Sequence, residues 1–285
     1  KELQPDLLLT FGGMIISKKI KAFLRKYQPK QHWHIDPKKA YDTFFSLNRH
    51  FSVSVNHFFA QFTPHIIPVK TEYKNTWLAL RSRRDILHKE YLKNMDWCDF
   101  KAFEHILSSI PKESMLQLGN SSTVRYVQLF DIDKSLEVFC NRGTSGIDGC
   151  VSTAVGAAVG SKLPAVLILG DLSFFYDSNG LWNNYLPDNF KIILINNRGG
   201  GIFRILPGDK NSEEFDTYFE TVHNLSAEHL CKMYNIKFLS ASSEAEVENK
   251  KEELFKSNDG PALLEINTPR KLNDQILLGY FDFIK

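Results

Sequence analysis

The sequence predicts an α/β protein in which a doubly wound parallel sheet, spanning residues 96–285, follows a smaller α/β domain of residues 1–95. Three observations carry this. From Asp99 onward, helix-like and strand-like segments alternate regularly, the pattern of strands joined by helical crossovers. Within that alternation, Ala165–Leu169 and Lys191–Ile195 contain the unbroken apolar runs VLIL and IILI, as expected of parallel strands covered on both faces. Near the start, an apolar run at Leu7–Phe11 leads through Gly12-Gly13 into a stretch of helical periodicity, an independent strand–turn–helix opening.

In chain order, Leu7–Phe11 is the first strand and residues 15–27 the first helix, with Ile16, Ile20, Phe23 and Leu24 on one side. Strands follow at 33–36 and 51–55. Residues 71–96 are polar and largely helical, and the domain boundary is placed near Asn94–Cys98, without a Gly/Pro/Ser linker. Beyond it the expected elements are a helix at 100–109, a strand at 115–119, a helix at 121–130, a strand at 137–140 and a helix at 146–161 rich in small residues. After the two central strands come a helix at 226–234, a strand at 237–240, a helix at 244–256 and a last strand at 262–267. The small residues of 146–161 serve either close packing on the sheet or contact with another subunit.

Composition narrows the possibilities. The net charge of +2 gives no reason to expect nucleic acid, and the basic stretch 18–30 has the spacing of a solvated helix face. No apolar run approaches the length needed to span a bilayer, and the opening KELQPDLLLTF lacks the basic–apolar–small order of a signal peptide. A cytoplasmic location is expected. Cys98, Cys140, Cys150 and Cys231 show no CxxC spacing and read as reduced thiols. The chain lacks a starting Met, so a processed or truncated piece is expected.

The chemistry concentrates between Ala165 and Phe203. Gly170-Asp171 ends one apolar strand. After 24 residues, Leu172 to Ile195, Asn196-Asn197 ends the next, followed by Arg198 and three glycines. Side by side, these strands bring Asp171 and Asn197 to one carboxyl edge, where open α/β sheets bind ligands. An Asp carboxylate, an Asn amide oxygen and the Gly199 carbonyl are hard oxygen donors suited to Mg²⁺ with phosphate oxygens and water. Alone, Gly170-Asp171 reads equally as a strand-to-helix turn capped by Asp.

The GD–24–NN spacing, the GDLS sequence at Gly170–Ser173 and the run NRGTSGIDG at Asn141–Gly149 are similar to those of thiamine diphosphate-dependent enzymes. Within that family they resemble the menaquinone-pathway branch, the SEPHCHC synthases. The resemblance covers nearly the whole chain, most strongly from Leu118 onward. It implies thiamine diphosphate and Mg²⁺ (or Mn²⁺) as cofactors, with Asp171, Asn197 and Gly199 on the metal. It also implies that Ser145, Gly146, Ile147, Gly170, Leu172, Ser173, Ile202 and Phe203 surround the cofactor, with Ile147 as the apolar wedge that bends it and the Ser173 hydroxyl on a phosphate. Otherwise Ile147, Ile202 and Phe203 are ordinary core or sheet-covering residues. Arg198 stands where many relatives have a third Asn.

The implied reaction decarboxylates 2-oxoglutarate and adds the resulting succinyl-semialdehyde carbanion equivalent to isochorismate. Both substrates are dicarboxylates, and the planar guanidinium fork suits them. Arg125 and Arg142, each following a strand, are the implied carboxylate holders, with Asn120 and Ser121 as hydrogen-bond donors. Lys18 matches a family active-site lysine, or is a surface lysine. The family implies that the first domain is Rossmann-like without a bound nucleotide, consistent with the missing GxGxxG pattern. It places the activating Glu in an N-terminal pyrimidine-binding domain that is not found in this sequence. No catalytic side chain is therefore assigned, and a fragment with little turnover alone is expected. A homodimer or homotetramer is implied for the whole enzyme. Other readings are a decarboxylase or acetolactate synthase type of the same family, or a noncatalytic nucleotide-binding module.

Overall fold

The computed structural model describes residues 1–206, 208–256 and 260–285. They form two compact units, Lys1–Ile86 and Leu87–Lys285.

In the first unit, β1 (Leu7–Phe11), β2 (Gln31–Ile35) and β3 (Leu47–Phe51) make a parallel sheet in the order β1-β2-β3. Helix α1 (Lys18–Lys26) starts later than its periodicity, because Ser17 Oγ accepts the Ile20 N–H and fixes the first turn. The third strand ends at Phe51, where the sequence places its beginning. Ser54 caps α2 (Val55–Phe62) through the His57 N–H, so Val53 lies in the strand-to-helix passage and Val55 opens the helix. Phe51, Phe58 and Phe62 pack around Trp33, an aromatic core for a sheet too small to bury much aliphatic surface. Helix α3 (Tyr73–Lys93) runs through the division between the units, which falls at Ile86/Leu87 within the helix.

The second unit contains a six-stranded parallel sheet in the order β5-β4-β6-β7-β9-β8. Its elements are α4 (Asp99–Leu107), β4 (Met115–Leu118), α5 (Ser122–Val127), β5 (Glu137–Cys140), α6 (Cys150–Gly160), β6 (Ala165–Gly170), α7 (Asp171–Tyr176) and β7 (Phe190–Asn196). They continue with α8 (Ile202–Ile205), a π-helical turn at Phe215–Phe219, α9 (Glu228–Met233), β8 (Lys237–Ala241), α10 (Glu244–Lys256), β9 (Ala262–Asn267) and α11 (Asn273–Phe283). Every pairing is parallel. Leu167, Leu169, Ile192 and Leu194 pack in one buried cluster with Val151, Ala154 and Ala158 of α6. Side chains of this size each stabilise the fold by about 1.5–3 kcal/mol when buried.

Helix α6 begins at Cys150, not at Gly146. Gly149 adopts φ +70°, and the preceding residues form a loop that reaches the sheet's carboxyl edge. Helices α2, α8 and α11 are additional elements.

From β4 the chain steps outward to β5, then returns past β4 to β6 and on to β7. The connections leaving β4 and β6 therefore diverge, opening a crevice at their carboxyl ends. The register Leu118↔Ile168 and Gly170↔Ile195 brings the loops beginning at Gly119, Asp171 and Asn197 to that crevice.

Candidate cofactor and metal site

A cavity of about 350 Å³ lies at this crevice. Asp171 enters it from the end of β6 and is nearly fully buried. Its Oδ1 accepts the Leu172 N–H at 2.6 Å, and its Oδ2 accepts the Gly199 N–H at 3.0 Å, which ties the loop after β7 to the end of β6. His223 Nε2 stands 3.3 Å from Oδ2. His223 Nδ1 accepts the Leu225 N–H at 3.1 Å, and its Nε2 is buried without a hydrogen-bond partner.

Asn197 enters the same cavity from β7. Its Nδ2 donates to Asp99 Oδ2 at 2.8 Å, whereas its Oδ1 is buried with no hydrogen-bond partner. A buried amide oxygen left bare is costly unless something positive meets it. Burial pushes the Asp99 carboxyl up to about 6, against the hydrogen bonds from Thr268 and Asn197. The Gly199 carbonyl accepts from the Gly201 N–H at 3.0 Å and retains a second lone pair. Gly199 itself has φ +152°, and an added Cβ would lie 2.7 Å from Glu220 O, so this turn requires glycine.

Gly170, Leu172 and Ser173 line the cavity on one side, Ser145 and Ile147 on another, and Ile202 and Phe203 of α8 on a third. The Ser173 hydroxyl, expected from the motif to meet a phosphate, donates to the Ile147 carbonyl and so fixes the loop that carries Ile147. Gly146 is outside this lining and borders a neighbouring depression with Asn141 and Thr153. Its carbonyl accepts from Asn120 Nδ2 at 2.6 Å.

Asn120, Ser121, Arg125 and Arg142 also line the cavity. Both N–H groups of Asn120 are taken by loop carbonyls, Asn141 O at 2.5 Å and Gly146 O at 2.6 Å, and its Oδ1 accepts from Arg142 Nη1 at 2.8 Å. Asn120 thus organises the loop and orients Arg142, leaving it no free amide proton for a ligand. Arg125 Nη1 donates to Ser121 O. Among the described residues, no carboxylate lies within 4 Å of either guanidinium, and Arg142 Nε is buried without a partner. Burial, and secondarily the charge of Arg142, lowers the Arg125 pKa. Two unpaired guanidinium groups in one cavity fit a ligand bearing carboxylates. Lys18 is exposed at the first residue of α1, in the first unit, whereas the cavity set is drawn from the second.

Sequence reasoning missed Asp99, Thr268, His223, Glu220 and Glu265. None lies in a motif; Asp99 lines the cavity, and the others support residues of the site through tertiary contacts. Arg204 of α8 is gripped through both Nε and Nη2 by the buried carboxylate of Glu220, which also accepts from Arg270 Nη1 at 3.1 Å. That grip holds the helix carrying Ile202 and Phe203. The four cysteines are free thiols, as their spacing predicts.

Residues 119–266 match the family model described as thiamine pyrophosphate enzyme, C-terminal TPP binding domain, and residues 1–118 match the middle domain of thiamine pyrophosphate enzymes. The chain is 57% identical over 283 residues to the 2-succinyl-5-enolpyruvyl-6-hydroxy-3-cyclohexene-1-carboxylate synthase of Christiangramia forsetii, covering 99% of this chain and 49% of the relative. It is 56% identical over 281 residues to the synthase of the same description from Flavobacterium johnsoniae, covering 99% and 51%. With the one from Porphyromonas gingivalis the identity is 37% over 294 residues, covering 100% and 51%. The chain thus spans about half the length of the curated relatives it matches.

Proposed function

The chain belongs to the thiamine pyrophosphate enzymes, and from that membership we propose that it is the metal- and diphosphate-holding portion of an enzyme that decarboxylates 2-oxoglutarate and joins the remaining four-carbon unit to isochorismate. The relatives' shared description supports the reaction. The observation that carries the site is the bare, buried Oδ1 of Asn197 in the cavity that also receives Asp171. A hard divalent cation, Mg²⁺ or Mn²⁺, satisfies that oxygen, the Asp171 carboxylate and the Gly199 carbonyl together.

Bound thiamine diphosphate supplies a nucleophilic carbon and an electron sink for the loss of CO₂. The chain's own residues place and shelter it. Ile147, its backbone tied to Ser173, would supply the apolar wedge against the cofactor, and Ile202 and Phe203 would cover it from α8. Arg125 and Arg142 hold substrate carboxylates, and Asn120 keeps Arg142 aimed. Lys18 remains a proposed substrate contact. We propose a homodimer or homotetramer for the whole enzyme, supported by the exposed face of α6 around Val159. No helix among the described residues is long and apolar enough to cross a membrane.

Thermal shift tests the binding on this chain: stabilisation by thiamine diphosphate with Mg²⁺, absent with NAD or ATP, is expected. The reaction is tested by following isochorismate consumption by the whole enzyme with 2-oxoglutarate, the cofactor and Mg²⁺. Equal turnover with pyruvate in place of 2-oxoglutarate would point instead to a decarboxylase or acetolactate synthase type. Stabilisation by nucleotides alone would point to a noncatalytic module.

A further inference from the structure

We propose that Asp99 is the positioning residue of the metal site: its buried carboxylate locks the Asn197 amide so that Oδ1, and not Nδ2, faces the cation. The inference rests on reading Asn197 as a metal ligand. The two ends of an Asn amide are nearly equal in size, so only its partners decide which way it turns. Asp99 Oδ2 accepts from Asn197 Nδ2 at 2.8 Å. Turning the amide over would set its oxygen against a carboxylate and aim two N–H groups at the ion, an unfavourable exchange at both ends.

Asp99 is itself held rigidly. Its Oδ1 accepts from Thr268 Oγ1 at 2.5 Å, and its backbone N–H donates to Asn273 Oδ1 at 2.8 Å. Asn273 Nδ2 is anchored in turn on Pro269 O at 2.7 Å. The frame that aims Asn197 therefore comes from the start of α4 and the passage between β9 and α11, far from the metal motif in sequence. Among the described residues, no Lys, Arg or His nitrogen lies within 4 Å of Asp99. The acid is thus not half of an ion pair, and a cation at the adjoining site is the positive charge that its burial otherwise lacks. Partners of this kind orient metal ligands and tune the affinity of the site.

The test is calorimetric titration of Mg²⁺ into this chain saturated with thiamine diphosphate, for the parent and for Asp99→Leu, Asp99→Asn and Asn197→Ala, with melting temperatures of the metal-free proteins. Asp99→Leu should weaken Mg²⁺ about tenfold or more and also lower the metal-free melting temperature, because Asn197 Nδ2 and Thr268 Oγ1 lose their buried acceptor. Asp99→Asn should keep most of the affinity, because the new amide can accept from Asn197 Nδ2 and donate to Thr268 Oγ1. Should Asp99→Leu fail to fold, Asp99→Val replaces it, with the same loss expected because it too removes the acceptor facing Asn197 Nδ2. Parent-like Mg²⁺ affinity in Asp99→Leu or Asp99→Val, with Asn197→Ala weakened, would overturn the role of Asp99. So would equal losses of affinity in Asp99→Asn and Asp99→Leu. Unchanged affinity in Asn197→Ala, or no Mg²⁺ binding by the parent, would instead remove the ligand reading beneath it.

Discussion

Asn196 and Glu265 stand on the adjacent strands β7 and β9, and Asn196 Nδ2 donates to Glu265 Oε1 at 2.6 Å. The other carboxylate oxygen accepts from Ser226 Oγ at 2.8 Å and the Ala227 N–H at 2.9 Å. Asn196 completes the arrangement by accepting the Arg198 N–H at 3.1 Å. The two asparagines of the pair thus divide the work. Asn197 faces the cavity, and Asn196 faces into the sheet, where a buried acid holds the turn that follows.

Replacing Glu265 with Gln sets an NH₂ group against at least one of those three donors. Such a buried mismatch costs about 1–3 kcal/mol. The urea midpoint of Glu265→Gln should fall with an unchanged m-value. An unaltered midpoint would show that the cluster relaxes freely.

Glu220 is fully buried and accepts from both Arg204 and Arg270. In Glu220→Gln both guanidinium groups lose their buried carboxylate and keep only the more exposed Asp216, 3.2 Å from Arg204 Nη2 and 3.5 Å from Arg270 Nη1, a loss of about 1.5–3 kcal/mol for a charge-assisted hydrogen bond. Because Arg204 shares α8 with Ile202 and Phe203, the variant should be cut faster by protease within residues 202–220. Stabilisation by the cofactor should weaken in parallel. Parent-like proteolysis would separate the ion-pair cluster from the cavity wall.

Cys231 is fully buried, and burial, followed by the charge of Glu265, pushes its thiol from 9.0 up to about 12. The folded state then holds this proton more tightly than the unfolded chain does. The resulting stability is present in full below pH 9 and is lost as the pH rises toward 12. Across that window one such thiol contributes a slope of about 1.4 kcal/mol per pH unit. Cys231→Ala should therefore lose less stability than the parent between pH 9 and pH 11, measured by urea unfolding. Parallel curves would place the alkaline sensitivity elsewhere.

Arg142 and Arg125 line the cavity without acidic partners, so their truncation should appear in substrate binding and not in stability. A charge-assisted hydrogen bond is worth about 1.5–3 kcal/mol, equivalent to roughly 10–100-fold in KM for whichever dicarboxylate each arginine is proposed to hold. Steady-state kinetics of Arg142→Ala and Arg125→Ala in the whole enzyme, varying each substrate separately, assigns them. A change in kcat alone, with both KM values intact, would remove the carboxylate-holding role.

The parallel sheet, its central strands and the meeting of Gly170-Asp171 with Asn196-Asn197 were legible in the residues alone. Those features are local: an unbroken apolar run declares a doubly covered strand, and polar residues directly after it must emerge at its carboxyl end. Boundaries governed by caps were less legible, as at Ser17, Ser54 and Gly149, where one hydrogen bond or one positive φ overrides periodicity. Which distant groups hold the motif in place emerges only once the chain is folded. Asp99 reads in sequence as an ordinary acid opening a helix, His223 as a loop histidine and Glu265 as a polar interruption of an apolar strand. Each acquires its role because folding removes water from the sheet edge, and a polar group buried there must find its partner wherever the chain happens to bring one.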